Sequence, residues 1–271
     1  MKEYAIGFGI NRYLSYSRLL IKSSFAYKTD FAIKLLLRIA NPIIMLFVWT
    51  AIYSATHTSA INNFSLYQIS IYFFIIAVVN SVAPSVSWAM AGDVRSGGVF
   101  TSLTRPIRYV SNVFTADATG MLVDTLTLGL PIFILLYFFL HLNLTLLSAS
   151  LFLLSMGMMY AIAMMIEFLL GFFSFFTTDI GGIINMAYFI ISFFGGGFVP
   201  LNLLPPSIAH ISSVLPFQFM IYFPASILTG AVSPSQLFSM FPLAALWFVA
   251  LLAANFVIWS RVRRHIDAVG V

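Results

Sequence analysis

The chain has 271 residues, of which 61% are hydrophobic and only 8% are charged. A soluble domain carries roughly 25% charged residues, because water must hydrate its surface. The composition therefore excludes a soluble globular protein, and it also excludes a disordered chain, which needs low hydrophobicity. Since one transmembrane helix takes about 20 apolar residues, the sequence predicts an all-α membrane protein with several spans.

The 13 basic residues fall into three groups, at residues 2–38, 95–108 and 261–264. Basic residues close to spans stay on the cytoplasmic side, so we expect all three groups and both termini to be cytoplasmic. An even number of spans must then lie between one group and the next. Charge does not locate the turn at 174–182, which has no Lys or Arg, and only this parity places it inside.

Two spans fit the first gap between basic groups and four fit the second. The six predicted spans are residues 31–53, 66–91, 110–138, 149–171, 182–199 and 236–260. In residues 1–30, basic side chains alternate with aromatic and aliphatic ones, which predicts an interfacial helix along the inner leaflet. The alternative is a plain cytoplasmic flank of the first span. Residues 31–271 are predicted to form a single transmembrane domain.

Residues 200–235, here termed the gate segment, are apolar but repeatedly interrupted by proline. Proline lacks an amide donor and clashes with the preceding helical turn, so a continuous span cannot form. Irregular backbone is tolerated at membrane depth only where protein or water satisfies it. We therefore expect two short re-entrant helices that enter from the outside. The alternative is an apolar external loop on the bilayer surface.

The sequence carries no motif of an enzyme. A phosphate-binding loop needs Gly-x-x-x-x-Gly-Lys-Ser/Thr, but all four lysines precede residue 35 and none follows a glycine. The four histidines are dispersed, there is no cysteine, and no Ser-His-Asp or Gly-x-Ser-x-Gly pattern occurs, so neither a metal site nor a nucleophile is predicted. No basic stripe lies on a soluble domain, which argues against a nucleic-acid partner.

Three acidic residues, Asp117, Asp124 and Glu167, fall inside predicted spans. Asp117 and Asp124 lie seven residues apart and so project from one helical face. Carboxylates at this depth are candidates for ion coupling. A proton-coupled transporter would also need a basic or His partner at the same depth, and the charge map offers none. We therefore expect these acids to pair with Thr, Tyr or backbone groups, with an ion-coupled secondary transporter as the alternative.

Residues 92–109, here termed the coupling segment, join the second and third predicted spans. Val99, Phe100 and Leu103 share one face at helical spacing. An amphipathic helix held between two spans is suited to docking into a groove on a soluble partner. The alternative, an ordinary loop on lipid head groups, would explain the arginines of this segment but not its apolar stripe.

Three stretches of the chain resemble motifs of ABC-2 type exporter permeases. Residues 98–106, GVFTSLTRP, resemble the pattern Gly-x4-Leu-x2-Pro that follows the second span in that family. Residues 172–183 resemble the Phe-aromatic-Thr turn before the fifth span of one subgroup. Residues 215–230 resemble that subgroup's Pro-Phe, Tyr-x-Pro and Gly segment. With the opening stretch around the first span, the resemblance covers nearly the whole chain.

The resemblance implies half of a transporter in the cytoplasmic membrane of a prokaryote. In that family two permease subunits, identical or paralogous, form the pathway through the bilayer. Two copies of a separate ATP-binding subunit bind ATP and Mg²⁺, so this chain itself would hold no cofactor and would not be an enzyme. The segment after span two is the coupling helix that contacts the ATPase, and the stretch between spans five and six forms the external gate. A non-transporting membrane scaffold is a further alternative.

Carried onto this chain, the resemblance assigns two sets of residues. The ATPase contact would comprise Asp93, Arg95, Gly98, Phe100, Leu103, Arg105 and Pro106. The external gate would comprise Pro200, Pro205, Pro206, Pro216, Phe217, Tyr222, Pro224 and Gly230. Relatives carry more acidic residues early in the coupling loop, whereas only Asp93 is present here. The 29 Phe and 12 Tyr suit the export of an amphipathic or lipid-like cargo, since aromatic surfaces accept varied apolar groups. The alternative, which we expect for most of the Phe side chains, is that they face lipid and neighbouring helices.

Overall fold

The computed structural model describes residues 13–23, 28–62, 64–99, 109–140, 142, 144–177, 179–232 and 234–268. The helices in chain order are α1 (13–23), α2 (Lys28–Thr56), α3 (Leu66–Val82), α4 (Val86–Ser96), α5 (Tyr109–Asp124), α6 (Leu130–Phe139), α7 (Leu146–Phe172), α8 (Gly181–Gly195), α9 (Pro206–Val214), α10 (Tyr222–Thr229) and α11 (Pro234–Ala268). Shorter helical turns are π-helical at Thr125–Gly129 and 3₁₀ at Phe173–Phe175, Leu201–Leu203 and Pro216–Phe219. Strands β1 (Ala60–Ile61) and β2 (Phe64–Ser65) pair antiparallel, with Ala60 opposite Ser65.

Four helical stretches are long and apolar enough to cross a membrane. They are Ala32–Thr56, Tyr109–Phe139, Leu146–Phe175 and Gln236–Val262. The pair α3 and α4, bent by 41°, is a fifth candidate. The fold is thus mostly helical, with four to five candidate spans in the part of the chain that is described. The apolar α8 has only 15 residues, about 22 Å at 1.5 Å per residue, so the six-span count stays a prediction.

The second span was predicted to be one continuous helix over residues 66–91, but the structure shows two helices. Helix α3 ends at Val82, and Ala83 adopts an extended backbone with φ −65° and ψ 128°. Pro84 explains this break, since a proline disfavours the helical conformation of the residue before it. The helix resumes at Val86 as α4 and runs to Ser96, beyond the predicted end.

Local sequence signals fix several other helix boundaries. Ser65 and Gln68 form a capping box at the start of α3, and Thr145 and Ser148 form another at the start of α7. The π-helical turn within the third span ends at Gly129, two residues before Pro131. A proline inside an α-helix clashes with the carbonyl four residues earlier, and the wider turn accommodates it.

Two clusters of buried side chains hold the helices together. The larger cluster packs α3 against α2, α7 and α10, with Tyr72, Phe219 and Phe223 fully buried. The smaller cluster includes Val86 and Met90 of α4 and joins this helix to the start of α5, to α7 and to Val262 of α11. The break between α3 and α4 therefore separates two helices that belong to different parts of the core.

Candidate functional site

Two carboxylates from neighbouring helices meet the first turn of α4. Asp117 Oδ1, on α5, accepts a hydrogen bond from the Ser85 N–H at 2.8 Å. Glu167 Oε2, on α7, accepts one from the Ser87 N–H at 2.9 Å. The first N–H groups of a helix have no partner within it, and negative charge is favourable there because of the helix dipole. Since the Ser85 side chain makes no capping bond to the described residues, the two carboxylates take its place.

Aromatic hydroxyls complete the surroundings of both carboxylates. Tyr160 donates to Asp117 Oδ2 at 3.2 Å. Glu167 is only 3% exposed and lies beside the hydroxyl groups of Ser87 and Tyr188, which are 3.5 Å from each other. Asp117 and Glu167 thus pair with Tyr and backbone groups, as the sequence led us to expect. The two tyrosines were not among the predicted site residues, because nothing in their spacing along the chain links them to α4.

Asp124 has a different partner, and one expectation about it was wrong. Its Oδ2 lies 4.0 Å from Nη2 of Arg38, which belongs to α2. The charge map had placed Arg38 with the cytoplasmic basic group, but its long side chain extends from within a span to this carboxylate. Arg38 Nη1 is buried and has no hydrogen-bond partner among the described residues. One basic residue therefore does lie beside an intramembrane acid.

A cavity of about 270 Å³ lies next to Arg38, between α2, α3 and the residues that follow α8. Its polar lining comes from Arg38, Asn41 and Asn80, and its apolar lining includes Phe73 and Ile76. Pockets that combine apolar walls with a few polar groups can fix the orientation of a small molecule. The lining is suited to a molecule with one polar and one apolar end.

The C-terminal end of α4 is also held by polar contacts. Asp93 Oδ2 accepts a hydrogen bond from the Tyr109 hydroxyl at 3.1 Å, at the start of α5. Arg95 Nη2 lies 3.2 Å from Asp179 Oδ1, in the turn before α8. Gly97, with φ 72°, then closes the helix in the left-handed conformation that glycine adopts without strain. The turn at 174–182 therefore lies beside the end of α4, at the same end of the bundle.

The structure describes only part of the predicted ATPase contact. Asp93, Arg95 and Gly98 lie at or just after the end of α4. Outside the described residues are Phe100, Leu103, Arg105 and Pro106. Val99, which the apolar stripe included, is 4% exposed and packs in the smaller core cluster. Because this side chain is already buried within the chain, it is not free to contact a partner.

The prolines of the gate segment stand where short helices begin. Pro200 and Pro205 are the caps of Leu201–Leu203 and α9, while Pro206 and Pro216 are first residues of α9 and of Pro216–Phe219. A proline at the first helical position costs no hydrogen bond. All eight residues of α10, Pro224 among them, are buried, and Gly230 ends this helix with φ 67°. Helix α10 is therefore buried within the chain, whereas most of α9 is exposed.

The end of α8 approaches α3 and the gate segment very closely. Tyr72 donates a hydrogen bond from its hydroxyl to the Gly196 carbonyl at 2.7 Å. A Cβ atom on Gly196 would lie 2.7 Å from that hydroxyl oxygen, and one on Gly195 would lie 2.8 Å from the Phe217 carbonyl oxygen. Beside them, the Tyr222 hydroxyl donates to Asn202 Oδ1. Because Gly195 and Gly196 have no side chains, the backbone can make this close contact.

The helical spans and the composition define a polytopic α-helical membrane protein. The sequence profile described as ABC-2 family transporter protein matches residues 39–270. Because this match covers most of the chain, the protein belongs to the ABC-2 family of membrane transporters, as the resemblance had predicted. No curated protein matched the chain. The family makes this chain a membrane permease component.

Proposed function

We propose that the chain is the permease subunit of an ATP-binding cassette exporter. Two permease subunits would form the pathway, and two separate ATP-binding subunits would supply ATP and Mg²⁺. The family match over residues 39–270 carries this proposal. These 271 residues contain no phosphate-binding loop, which agrees with ATP hydrolysis on a separate subunit. We place the chain in the cytoplasmic membrane of a prokaryote, with both termini inside.

The coupling segment would receive the movement of the ATPase. ATP binding draws the two ATPase subunits together, and the segment moves with them. This proposal is supported by the position of α4, whose last residues are the first part of the segment and include Asp93 and Arg95. Gly98, Phe100, Leu103, Arg105 and Pro106 would complete the contact with the ATPase.

The gate segment would control the far end of the pathway. Its helices pack on α3, α7 and α8, and Tyr72, Gly196 and Phe217 form the tightest contact between these parts. Separation of α8 from α3 at this contact would open an exit. Pro200, Pro205, Pro206, Pro216, Tyr222, Pro224 and Gly230 would shape the moving helices.

The cargo would be amphipathic or lipid-like. The cavity beside Arg38 supports this, because it joins the amides of Asn41 and Asn80 to the apolar walls formed by Phe73 and Ile76. A single-chain amphiphile should therefore raise the ATP hydrolysis rate of the reconstituted complex. The cargo proposal is wrong if a hydrophilic sugar stimulates hydrolysis and amphiphiles do not.

The decisive experiment asks whether an ATPase subunit binds the coupling segment. The tagged chain is co-expressed and purified with a candidate ATP-binding subunit, chosen from the neighbouring genes of the source genome. Phe100→Asp and Leu103→Asp should each lower the amount of recovered ATPase at least tenfold, because each adds a charge to the predicted apolar face. Thr101→Asp adds the same charge on the opposite side of the helical pattern and is the matched control.

Two results would contradict the proposed function. Full recovery of the ATPase with both variants would show that the segment is not the contact. Transport by vesicles that lack the ATPase but carry a proton or sodium gradient would instead favour an ion-coupled transporter. The absence of transport both with the ATPase and with an ion gradient would favour a scaffold.

A further inference from the structure

We propose that Asp117 and Glu167 are positioning residues that fix α4 to α5 and α7. In this arrangement α4 moves with those two helices, and the break at residues 83–85 is the joint between α4 and α3. Movement of the coupling segment would then enter α5 and α7 before it reaches α3. The mechanical part of this inference rests on the proposed function, whereas the attachment of α4 does not.

The first support is the break itself. Between Val82 and Val86 the backbone leaves the helical conformation, and the axes of α3 and α4 differ by 41°. A helix that starts afresh exposes N–H donors that need acceptors. Asp117 and Glu167 provide those acceptors, and hydrogen bonds to a carboxylate are roughly twice as strong as those between neutral groups.

The second support is that α5 and α7 also hold the rest of α4. On α5, Tyr109 bonds Asp93 near the end of α4, two turns beyond the bond from Asp117. On α7, Gly171 faces the fully buried Met90, and a Cβ there would lie 2.6 Å from Met90 Sδ. Helices α5 and α7 thus each contact α4 at two separate points. Two contacts with each neighbour restrict both the rotation and the translation of α4.

The third support is that α3 and α4 are centred in different clusters. The buried side chains of α3 belong to the larger core cluster with α2, α7 and α10, whereas Val86 and Met90 of α4 belong to the smaller cluster. Helix α3 also contacts α5 and α7 directly. A force applied at the end of α4 therefore meets α5 and α7 first, and reaches α3 through these helices and across the three residues of the break.

Asp117 and Glu167 are also candidates for ion coupling. Replacing each carboxylate with an amide distinguishes a capping role from ion coupling. A capping acceptor needs only an oxygen at the right position, which the amide of Asn or Gln also supplies. A proton carrier needs a group that titrates, which an amide does not. Asp117→Asn and Glu167→Gln should therefore be tolerated in the first role and inactive in the second.

Hydrogen exchange of the full chain in lipid nanodiscs, without any ATPase, tests the attachment. Asp117→Leu and Glu167→Met remove the acceptor, and each should accelerate exchange of peptides covering residues 83–96 roughly 2- to 30-fold, the range for loss of a helix cap. The amide variants should accelerate it by a smaller factor. Asp124→Asn is the matched control, because Asp124 contacts Arg38 on α2, and it should leave exchange at 83–96 unchanged.

Exchange at 83–96 that is unchanged in both acceptor-removing variants would overturn the proposal. If those variants do not fold, Asp117→Ala and Glu167→Ala, which also remove the acceptor, take their place, and exchange at 83–96 equal to that of the unchanged chain would overturn the proposal equally. A rise confined to this segment, with the rest of the chain unaffected, supports a positioning role.

ATP hydrolysis by the complex with the ATPase tests the consequence. The acceptor-removing variants should lower kcat several-fold with the KM for ATP unchanged, and the amide variants should restore more than half of the rate. Amide variants as inactive as the apolar ones would overturn the capping role in favour of a proton carrier. If the unchanged chain binds no ATPase, the proposed function fails while the exchange result still decides whether α4 is attached.

Discussion

The two ends of the bent pair α3 and α4 are held by different kinds of contact. Around α4, carboxylates accept hydrogen bonds from backbone N–H groups, and a tyrosine and an arginine hold its other end. Around Tyr72 of α3, the backbone of Gly195 and Gly196 touches its neighbours with no space for a side chain. A polar contact survives replacement by another acceptor, whereas a close backbone approach tolerates no added atom. The two regions should therefore differ in their sensitivity to small substitutions.

The largest effect is expected from Gly196→Ala. The new Cβ would lie 2.7 Å from the Tyr72 hydroxyl oxygen, and the backbone at φ 89° is unfavourable for any residue with a side chain. The positive φ costs roughly 1–2 kcal/mol, and overpacking adds about 1–3 kcal/mol. We expect a clear loss of folded protein, measured as a lower melting temperature of the purified chain in detergent.

Gly182→Ala in the first turn of α8 is the matched control for this prediction. Nothing lies within 4 Å of a Cβ at Gly182, so the same added methyl group should leave the melting temperature nearly unchanged or raise it slightly. Equal effects of the two substitutions would show that the close approach at Tyr72 is not what fixes the end of α8.

A smaller effect is expected from Gly171→Ala, which tests the packing of α4 on α7. Its Cβ would lie 2.6 Å from Met90 Sδ, but this sulfur is near the end of a flexible side chain that can shift. We expect a destabilisation of about 1 kcal/mol by overpacking. Met90→Ala in the same chain should recover part of this loss, because it removes the clashing atoms.

A double-mutant cycle separates this contact from general loss of packing. Met90→Ala alone leaves a cavity in the smaller core cluster and should be destabilising. If the double variant loses as much free energy of unfolding as the two single variants added together, Gly171 and Met90 are not coupled. In that case α7 does not hold α4 at this contact.

The sequence was sufficient for the class of protein, the family and the long spans, because these depend on composition, on runs of about 20 apolar residues and on local motifs. It did not reveal the partners of the intramembrane acids. The seven-residue spacing of Asp117 and Asp124 indicates that both lie on one helix face. It does not indicate that Asp117 contacts the start of α4 or that Asp124 contacts α2. Pro84 was a readable sign of the break, yet apolar length alone had set the span over 66–91.

The smallest effect is expected at the ion pair between Arg95 and Asp179, which also holds α4 but in a different environment. The two side chains are 65% and 78% exposed, so solvent screens their attraction, and Arg95→Ala should change the free energy of unfolding by at most about 0.5 kcal/mol. Asp179→Ala should cost more, because Asp179 Oδ1 also accepts the Gly181 N–H at 3.1 Å beside the start of α8. Thermal melting at low and at high salt checks both statements, since only the ion-pair part weakens with salt. If Arg95→Ala destabilises the chain as strongly as Glu167→Met, the exposed ion pair holds α4 as firmly as the buried Glu167 carboxylate does, and the expected order of these effects is wrong.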